Sequence, residues 1–134
     1  MERMAKHFRK RDAILNCLRQ TTVHPSAEWV YAKLKPEIPD LSLGTVYRNL
    51  ALFKQQGLIT SLGTVNGVER FDGNIDPHVH FICTTCHSIT DLPQIAVPEQ
   101  LRSTVEQATG GTVGECQLSF TGTCQNCCQK EKTA

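Results

Sequence analysis

Apolar residues recur at intervals of three and four along the first half of this chain, then alternate in short runs beyond residue 57. Ile14, Cys17 and Leu18 mark one face of a first helix, approached through Lys6, Arg9, Lys10 and Arg11. Cys17, lying among those apolar positions, reads as a small buried hydrophobe. His24-Pro25-Ser26 interrupts the pattern. Ser26 is placed to cap a second helix with Ala27, Val30, Tyr31 and Leu34 on its inner face, and Pro36 and Pro39 end it. Ser42 caps a third, in which Val46, Leu50 and Phe53 fall within about 60° of one another and Leu43 lies beside them. Gly44, Arg48 and Gln55 project from the opposite side, Leu52 also points outward, and Gly57 supplies the stop.

The pattern then changes period. Leu58–Leu62 and Val68–Asp72 read as short strands, joined by a loop containing Asn66-Gly67, a strong hairpin signal. Three helices followed by a hairpin describe a winged helix-turn-helix over residues 1–73, with the third helix bound for a DNA major groove. Arg48 is suited to donate to a guanine and Tyr47 to a phosphate or base; Thr45, Lys10 and Arg11 complete the candidate DNA contacts. Residues 74–77, Asn-Ile-Asp-Pro, form a turn-rich hinge. From residue 78 to 134 a strand through the His/Cys stretch, a second at Ile89–Leu92, a helix opened by Val97-Pro98-Glu99 and a last strand carrying Cys116, Leu118 and Phe120 give the order β-β-α-β. Leu101, Val105 and Ala108 line the inner face of that helix, Gly110-Gly111 ends it, and Cys116 is expected to pack on the apolar side of its strand. The fold class is therefore α+β. So small a second domain, with an open sheet edge and an apolar helix face, calls for a two-fold partner, and a homodimer is expected.

Charge sharpens this division. The net charge is +1, but residues 1–57 carry ten Lys/Arg against five Asp/Glu, and residues 58–134 carry four against eight. A basic half joined to an acidic half bearing Cys and His fits a nucleic-acid reader fused to a cation-binding module. The N-terminus, Met-Glu-Arg-Met-Ala-Lys, holds no apolar signal segment, and no run is long enough to span a membrane. A cytoplasmic protein is expected, and in a reducing cytosol paired C-x-x-C motifs read as metal ligands rather than disulfides.

Two constellations carry the chemistry. Cys83 and Cys86 form one C-x-x-C, Cys124 and Cys127 another, with 37 residues between the pairs. Four thiolates close a tetrahedron around Zn(II) and leave no position for water, which makes a structural site. Cys128 adjoins Cys127 and is an alternative fourth ligand. The second set is His24, Asp72, His78, His80 and Asp91. His78 and His80, two apart on a strand, point to one face, and Asp91 lies across the expected hairpin. Three imidazoles and two carboxylates suit Fe(II), Mn(II) or Zn(II). Because the ligands come from both halves, filling this site fixes the angle between them. His7 and His87 lack such company and read as surface residues.

The blocks F-R-K-R-D-A-I-L, H-P-S-A-E-W-V-Y, S-L-G-T-V-Y-R-N-L, G-L-I, R-F-D, H-V-H-F-I-C-T-T-C and C-Q-N-C together resemble the ferric uptake regulator (Fur) family, collinearly from about residue 8 to 127. The resemblance implies a homodimeric, metal-dependent bacterial repressor that binds a pseudo-palindromic operator in double-stranded DNA. Its peroxide-sensing (PerR) branch is most similar, since His24, Asp72, His78, His80 and Asp91 occupy the positions of that branch's regulatory site, whereas iron-sensing members usually have Glu in place of Asp91. The implied mechanism is oxidation of His24 and His78 when the site holds Fe(II) and meets hydrogen peroxide, with Mn(II) giving DNA binding without peroxide sensitivity. Two departures stand out. Arg48 is more typical of iron-uptake members, and Val79 lacks an acidic group that helps build an additional metal site in some relatives, so two metals per chain are expected.

Other classes make different demands. A Fur-type regulator of iron or another metal, without peroxide chemistry, is the alternative within the family. Zinc deaminases pair H-x-E with P-C-x-x-C so that a Glu works beside an open zinc. This chain has H-x-H and a second C-x-x-C that closes the shell, so an enzyme is not expected. A thiol switch that releases zinc on oxidation is a third possibility, excluded if DNA binding is lost while the four cysteines stay intact.

Overall fold

Two serine caps set the helical half in register. The computed structural model of the chain describes residues 2–76, 78–114 and 116–133, and among them the side chains of residues 9–76, 78–114 and 116–130. The side chains of Lys6 and His7, and Pro77 of the expected hinge, lie outside the described residues. The chain divides into two compact units, Met1–Ile75 and Asp76–Ala134.

In the first unit, α1 spans Glu2–Gln20, α2 Ala27–Leu34 and α3 Leu43–Gln55. Ser26 Oγ accepts from Trp29 N–H and Ser42 Oγ from Thr45 N–H, both at 3.1 Å, each satisfying an N-terminal donor that has no partner within its helix. The turn between α2 and α3 is pinned by Lys35, whose Nζ donates to the carbonyls of Pro39 and Leu41, each at 2.8 Å. Ile14, Leu18, Val30, Val46, Leu50 and Phe53 meet in one core, which Ile59 and Phe71 extend beneath the hairpin. Leu52 is exposed, as the helical wheel requires.

The hairpin comprises β1 (Thr60–Val65) and β2 (Val68–Asp72), antiparallel with Val65 opposite Val68. Asn66 and Gly67 both take positive φ, 53° and 78°, which produces the tight turn expected of Asn-Gly. The first strand begins two residues later than the apolar run suggested. Leu58 N–H still bonds to Phe53 O, so the end of α3 claims Leu58 before the ladder starts. At the far end of β2 the backbone of Gly73 presses against α1. A Cβ there would stand 2.6 Å from Leu18 O, so only glycine allows this approach.

The second unit is built on β3 (Val79–Cys83), central in the order β4-β3-β5. Strand β4 (Ile89–Leu92) pairs antiparallel with it and sets Asp91 opposite His80. Strand β5 (Leu118–Gly122) pairs parallel, with Cys83 opposite Gly122. Helix α4 spans Glu99–Thr109, and α5, Gln125–Thr133, follows β5. The order β-β-α-β is present, with α5 as an addition.

Three expectations are corrected here. Leu101, Val105 and Ala108 are exposed rather than buried, and none of the described residues of α4 is buried; within one protomer its apolar stripe faces solvent. Cys116 precedes β5 and is exposed, because the strand starts only at Leu118. His87 is half-buried and holds φ at 62° in the turn after Cys86, where its N–H bonds to Cys83 O at 2.9 Å. No helix among the described residues is long and apolar enough to cross a membrane.

Candidate functional site

Strand pairing delivers the two C-x-x-C motifs to one place. Thr84 N–H donates to Gly122 O at 2.8 Å, continuing the parallel ladder past Cys83 and laying the start of α5 beside the first motif. The Sγ atoms of Cys83, Cys86, Cys124 and Cys127 all lie within 4.8 Å of one another. Four sulfurs at about 2.3 Å from a tetrahedral zinc stand about 3.8 Å apart; Cys86 Sγ and Cys124 Sγ are 3.8 Å apart. Cys128 is exposed and turns its thiol toward Thr123 O, 3.5 Å away and outside the cluster.

The electrostatics suit a divalent cation. The N–H groups of Cys86 and Cys124, each 3.4 Å from Cys83 Sγ, pull that thiol down to about 5. Ser88, 3.2 Å from Cys86 Sγ, lowers that thiol too. Cys127 is pushed up to about 12, chiefly by its hydrogen bond with Cys124 and then by burial. The protein thus favours thiolate at one position and resists it at another in the same cluster. A cation that accepts all four sulfurs removes the conflict.

The histidines and aspartates fall into two sets, each within its own unit. In the first unit His24 and Asp72 are buried, and His24 Nε2 lies 3.4 Å from Asp72 Oδ2. In the second unit His78 Nε2 and His80 Nε2 each lie 3.2 Å from the same oxygen, Asp91 Oδ1. The two rings meet edge-on, with centroids 4.3 Å apart. His78 Nδ1 is 2.5 Å from Asp76 O. A carbonyl only accepts, so Nδ1 carries the proton, and the Nε2 of a neutral ring then presents a lone pair to a carboxylate. A divalent cation that takes both the ring nitrogen and the carboxylate oxygen as ligands suits that arrangement.

Arg70 enters the sequence pattern only as part of R-F-D, and the structure gives it a larger part. It lies two positions before Asp72 on β2, hence on the same strand face. Its Nε donates to His24 O and its Nη2 to Val23 O at 2.6 Å. The alternation linking Arg70 to Asp72 is legible in the sequence; its pairing with residues 46 and 47 positions earlier is not.

On α3, Thr45 Oγ1 accepts from Arg48 Nη2 at 3.1 Å and lies 2.8 Å from Ser42 Oγ, so the guanidinium folds over the first turn beside Gly44. Tyr47 is exposed, and its hydroxyl donates to the Glu28 carboxylate of α2. That bond holds the Glu28 carboxyl below the ordinary glutamate value and raises the Tyr47 phenol. Asn49, missed as a buried position, donates to Thr45 O at 2.8 Å. Lys10 pairs with Asp40 at 3.2 Å, and Arg11 lies over the Phe53 ring at 5.3 Å, so both basic side chains also make contacts within the helical unit.

The chain is similar to known proteins along most of its length. The peroxide operon regulator of Bacillus subtilis is 37% identical over 124 residues, covering 91% of this chain and 83% of the relative. The peroxide-responsive repressor PerR of Staphylococcus aureus is 34% identical over 123 residues, covering 90% and 81%. The crystal structure of the Campylobacter jejuni peroxide stress regulator superposes with a TM-score of 0.81 at 28% identity, over 94% of each chain. An iron-containing ferric uptake regulator from Francisella tularensis gives 0.71 at 26% identity, over 87% of this chain and 89% of that one. The profile of the ferric uptake regulator family matches residues 2–121, which include the capped helices, the hairpin and the first C-x-x-C. With that match and relatives this similar along most of their length, the chain belongs to the ferric uptake regulator family.

Proposed function

We propose that this chain is a homodimeric, metal-dependent repressor that holds a pseudo-palindromic DNA operator and releases it when hydrogen peroxide oxidises its regulatory site. Family membership makes it a transcription regulator rather than an enzyme. One observation carries the regulatory reading: two imidazole Nε2 atoms converge on a single oxygen of Asp91, a donor arrangement suited to a shared cation.

In this reading Cys83, Cys86, Cys124 and Cys127 hold a structural Zn(II). His78, His80 and Asp91 hold the regulatory ion together with His24 and Asp72, two donor sets each too small to complete a shell alone. A metal shared by the two units couples them. Moving an open-to-closed ratio from 1:99 to 99:1 takes about 5.5 kcal/mol of differential affinity. Fe(II) held by these residues would supply peroxide-cleaving chemistry there, by which hydrogen peroxide oxidises a neighbouring imidazole by two electrons, leaving one oxygen atom on the ring and the other as water. His24 and His78 are the targets, and an oxidised ring binds the ion too weakly to keep the units coupled. With Mn(II) the same residues bind and orient without that oxidation. Asp76 O fixes the tautomer of His78, so its Nε2 is the atom offered to the ion. On the DNA side, α3 enters the major groove and presents Thr45, Tyr47 and Arg48, with Lys10 and Arg11 toward the phosphates.

The relatives named as peroxide regulators support the peroxide branch. Arg48 favours the second reading, an iron- or other metal-responsive regulator without peroxide chemistry. Operator binding with Fe(II) or Mn(II), each before and after micromolar peroxide, separates the two. Peroxide abolishes binding of the Fe(II) form alone, and mass spectrometry finds one added oxygen on a peptide containing His24 or His78. Retained binding with unmodified histidines in the Fe(II) form selects the second reading.

A further inference from the structure

We infer that Arg70 is a positioning residue for the regulatory metal: it locks the backbone of the Val23–Pro25 turn so that the His24 imidazole is presented in one orientation. The inference rests on His24 being a regulatory ligand, as proposed above.

His24 occupies an unfavourable backbone state. Its φ is 55°, in the left-handed region that side chains with a Cβ seldom adopt. It also precedes Pro25, and the proline ring crowds the residue before it away from helical conformations of this kind. A lone residue in such a state persists only where its surroundings hold it. The turn lies on β2, which binds three successive carbonyls. Arg70 Nε donates to His24 O, Arg70 Nη2 donates to Val23 O at 2.6 Å, and Phe71 N–H donates to Pro25 O at 2.9 Å. The flat guanidinium presents Nε and Nη2 along one edge, in a spacing that matches two adjacent carbonyl oxygens. A lysine ammonium offers one point of attachment and cannot fix the angle between the two carbonyls.

What the fork fixes is the base of a ligand. Asp72 projects from the same strand face as Arg70, and its Oδ2 lies 3.4 Å from His24 Nε2. Asp72 is itself held through Oδ1, which accepts from Asn74 N–H at 2.9 Å. Strand β2 therefore grips His24 at both ends, with Arg70 on its backbone and Asp72 at its ring. Partial burial of Arg70 makes its charge-assisted bonds more directional than they would be in water. The hairpin does not depend on this side chain for its pairing, since β1 and β2 carry their own ladder and Phe71 anchors them in the core. Loss of the Arg70 side chain therefore leaves the ladder of the hairpin in place.

The test is a double-mutant cycle on the full chain, zinc-loaded and reduced, with Mn(II) as the probe and Mn(II) affinity as the readout. Arg70→Gln is expected to weaken Mn(II) by ~10-fold or more, the scale of lost outer-sphere support for a metal ligand. Arg70→Lys restores part of that loss. In a His24→Ala background Arg70→Gln has no further effect, because the residue it positions is gone. Zinc content and thermal unfolding, followed on all variants, identify any that fail to fold, and Arg70→Lys then carries the comparison. Undiminished affinity in Arg70→Gln, or an equal loss with and without His24, overturns the positioning role. Should His24→Ala itself bind Mn(II) as tightly as the parent, His24 is no ligand and the regulatory reading fails first.

Discussion

Stripping zinc from the reduced protein is expected to unfold Asp76–Ala134 and leave Met1–Ile75 folded. Among the described residues, the buried apolar side chains of the second unit are Val79 and Ile89, alongside Cys83 and Cys127. At about 1.5–3 kcal/mol per fully buried aliphatic side chain, the first two contribute about 3–6 kcal/mol. A tetrathiolate zinc site contributes about 10–16 kcal/mol in small zinc-dependent domains, where metal binding is folding free energy. Zinc held by the four thiolates would therefore stabilise this unit more than its apolar core does, by a factor of about two or more. The first unit has no such dependence, since Phe53, Ile14, Leu18, Leu50, Ile59 and Val30 are fully buried in it. Hydrogen exchange read by mass spectrometry after chelation, with reductant present, resolves the two units separately. Amides of β3, β4 and β5 should exchange at unprotected rates while those of α1 to α3 keep their protection, and Cys124→Ser should reproduce this without chelator. Protected β3 and β5 amides in the zinc-free, reduced chain would refute the reasoning and point instead to burial of the α4 stripe as what chiefly holds this unit folded.

Three further outcomes follow from the geometry. Gly73→Ala forces a methyl against Leu18 O at 2.6 Å, and an overpacking cost of about 1–3 kcal/mol should lower the urea midpoint of the first unit at unchanged slope; an unmoved midpoint means that α1 and β2 separate freely. Arg48→Ala should weaken specific operator binding by about 1–3 kcal/mol if the guanidinium leaves Thr45 for a guanine, and equal affinity removes it from the reading set. The Glu28 carboxyl, lowered mainly by the Tyr47 hydroxyl, contributes stability that is present above the ordinary glutamate value and lost as pH falls through the lowered one. Exposure keeps that contribution small. NMR titration should find the Glu28 midpoint rising toward the ordinary value in Tyr47→Phe, and an unshifted midpoint would assign the lowering to another cause.

What could be read from the chain was whatever short spacing encodes. Ser26 and Ser42 announce their helices because a cap acts three residues away, and Asn66-Gly67 announces its turn because both residues accept positive φ. The spacing of Cys83, Cys86, Cys124 and Cys127 names a donor set before any fold is known, and the structure gathers those four sulfurs. Helix α5 was missed because Gln125–Thr133 has no apolar stripe; buried Cys127 anchors its first turn in the thiol cluster instead of a hydrophobic seam. The periodicity of Leu101, Val105 and Ala108 marks an apolar face but not what covers it, and among the described residues these three are exposed. The hold of Arg70 on Val23 and His24 was illegible for a different reason, since no local rule connects positions so far apart.

The parallel pairing of β5 against β3 has a bearing on how the molecule is made. Cys124 meets Cys83 across a gap of 41 residues, so a nascent chain leaving the ribosome presents one pair of thiols long before the other. The helical head, whose core is complete by Phe71, can close during synthesis. The second half must wait for its last motif, and a message cut short before codon 124 yields a head followed by only one of the two C-x-x-C pairs.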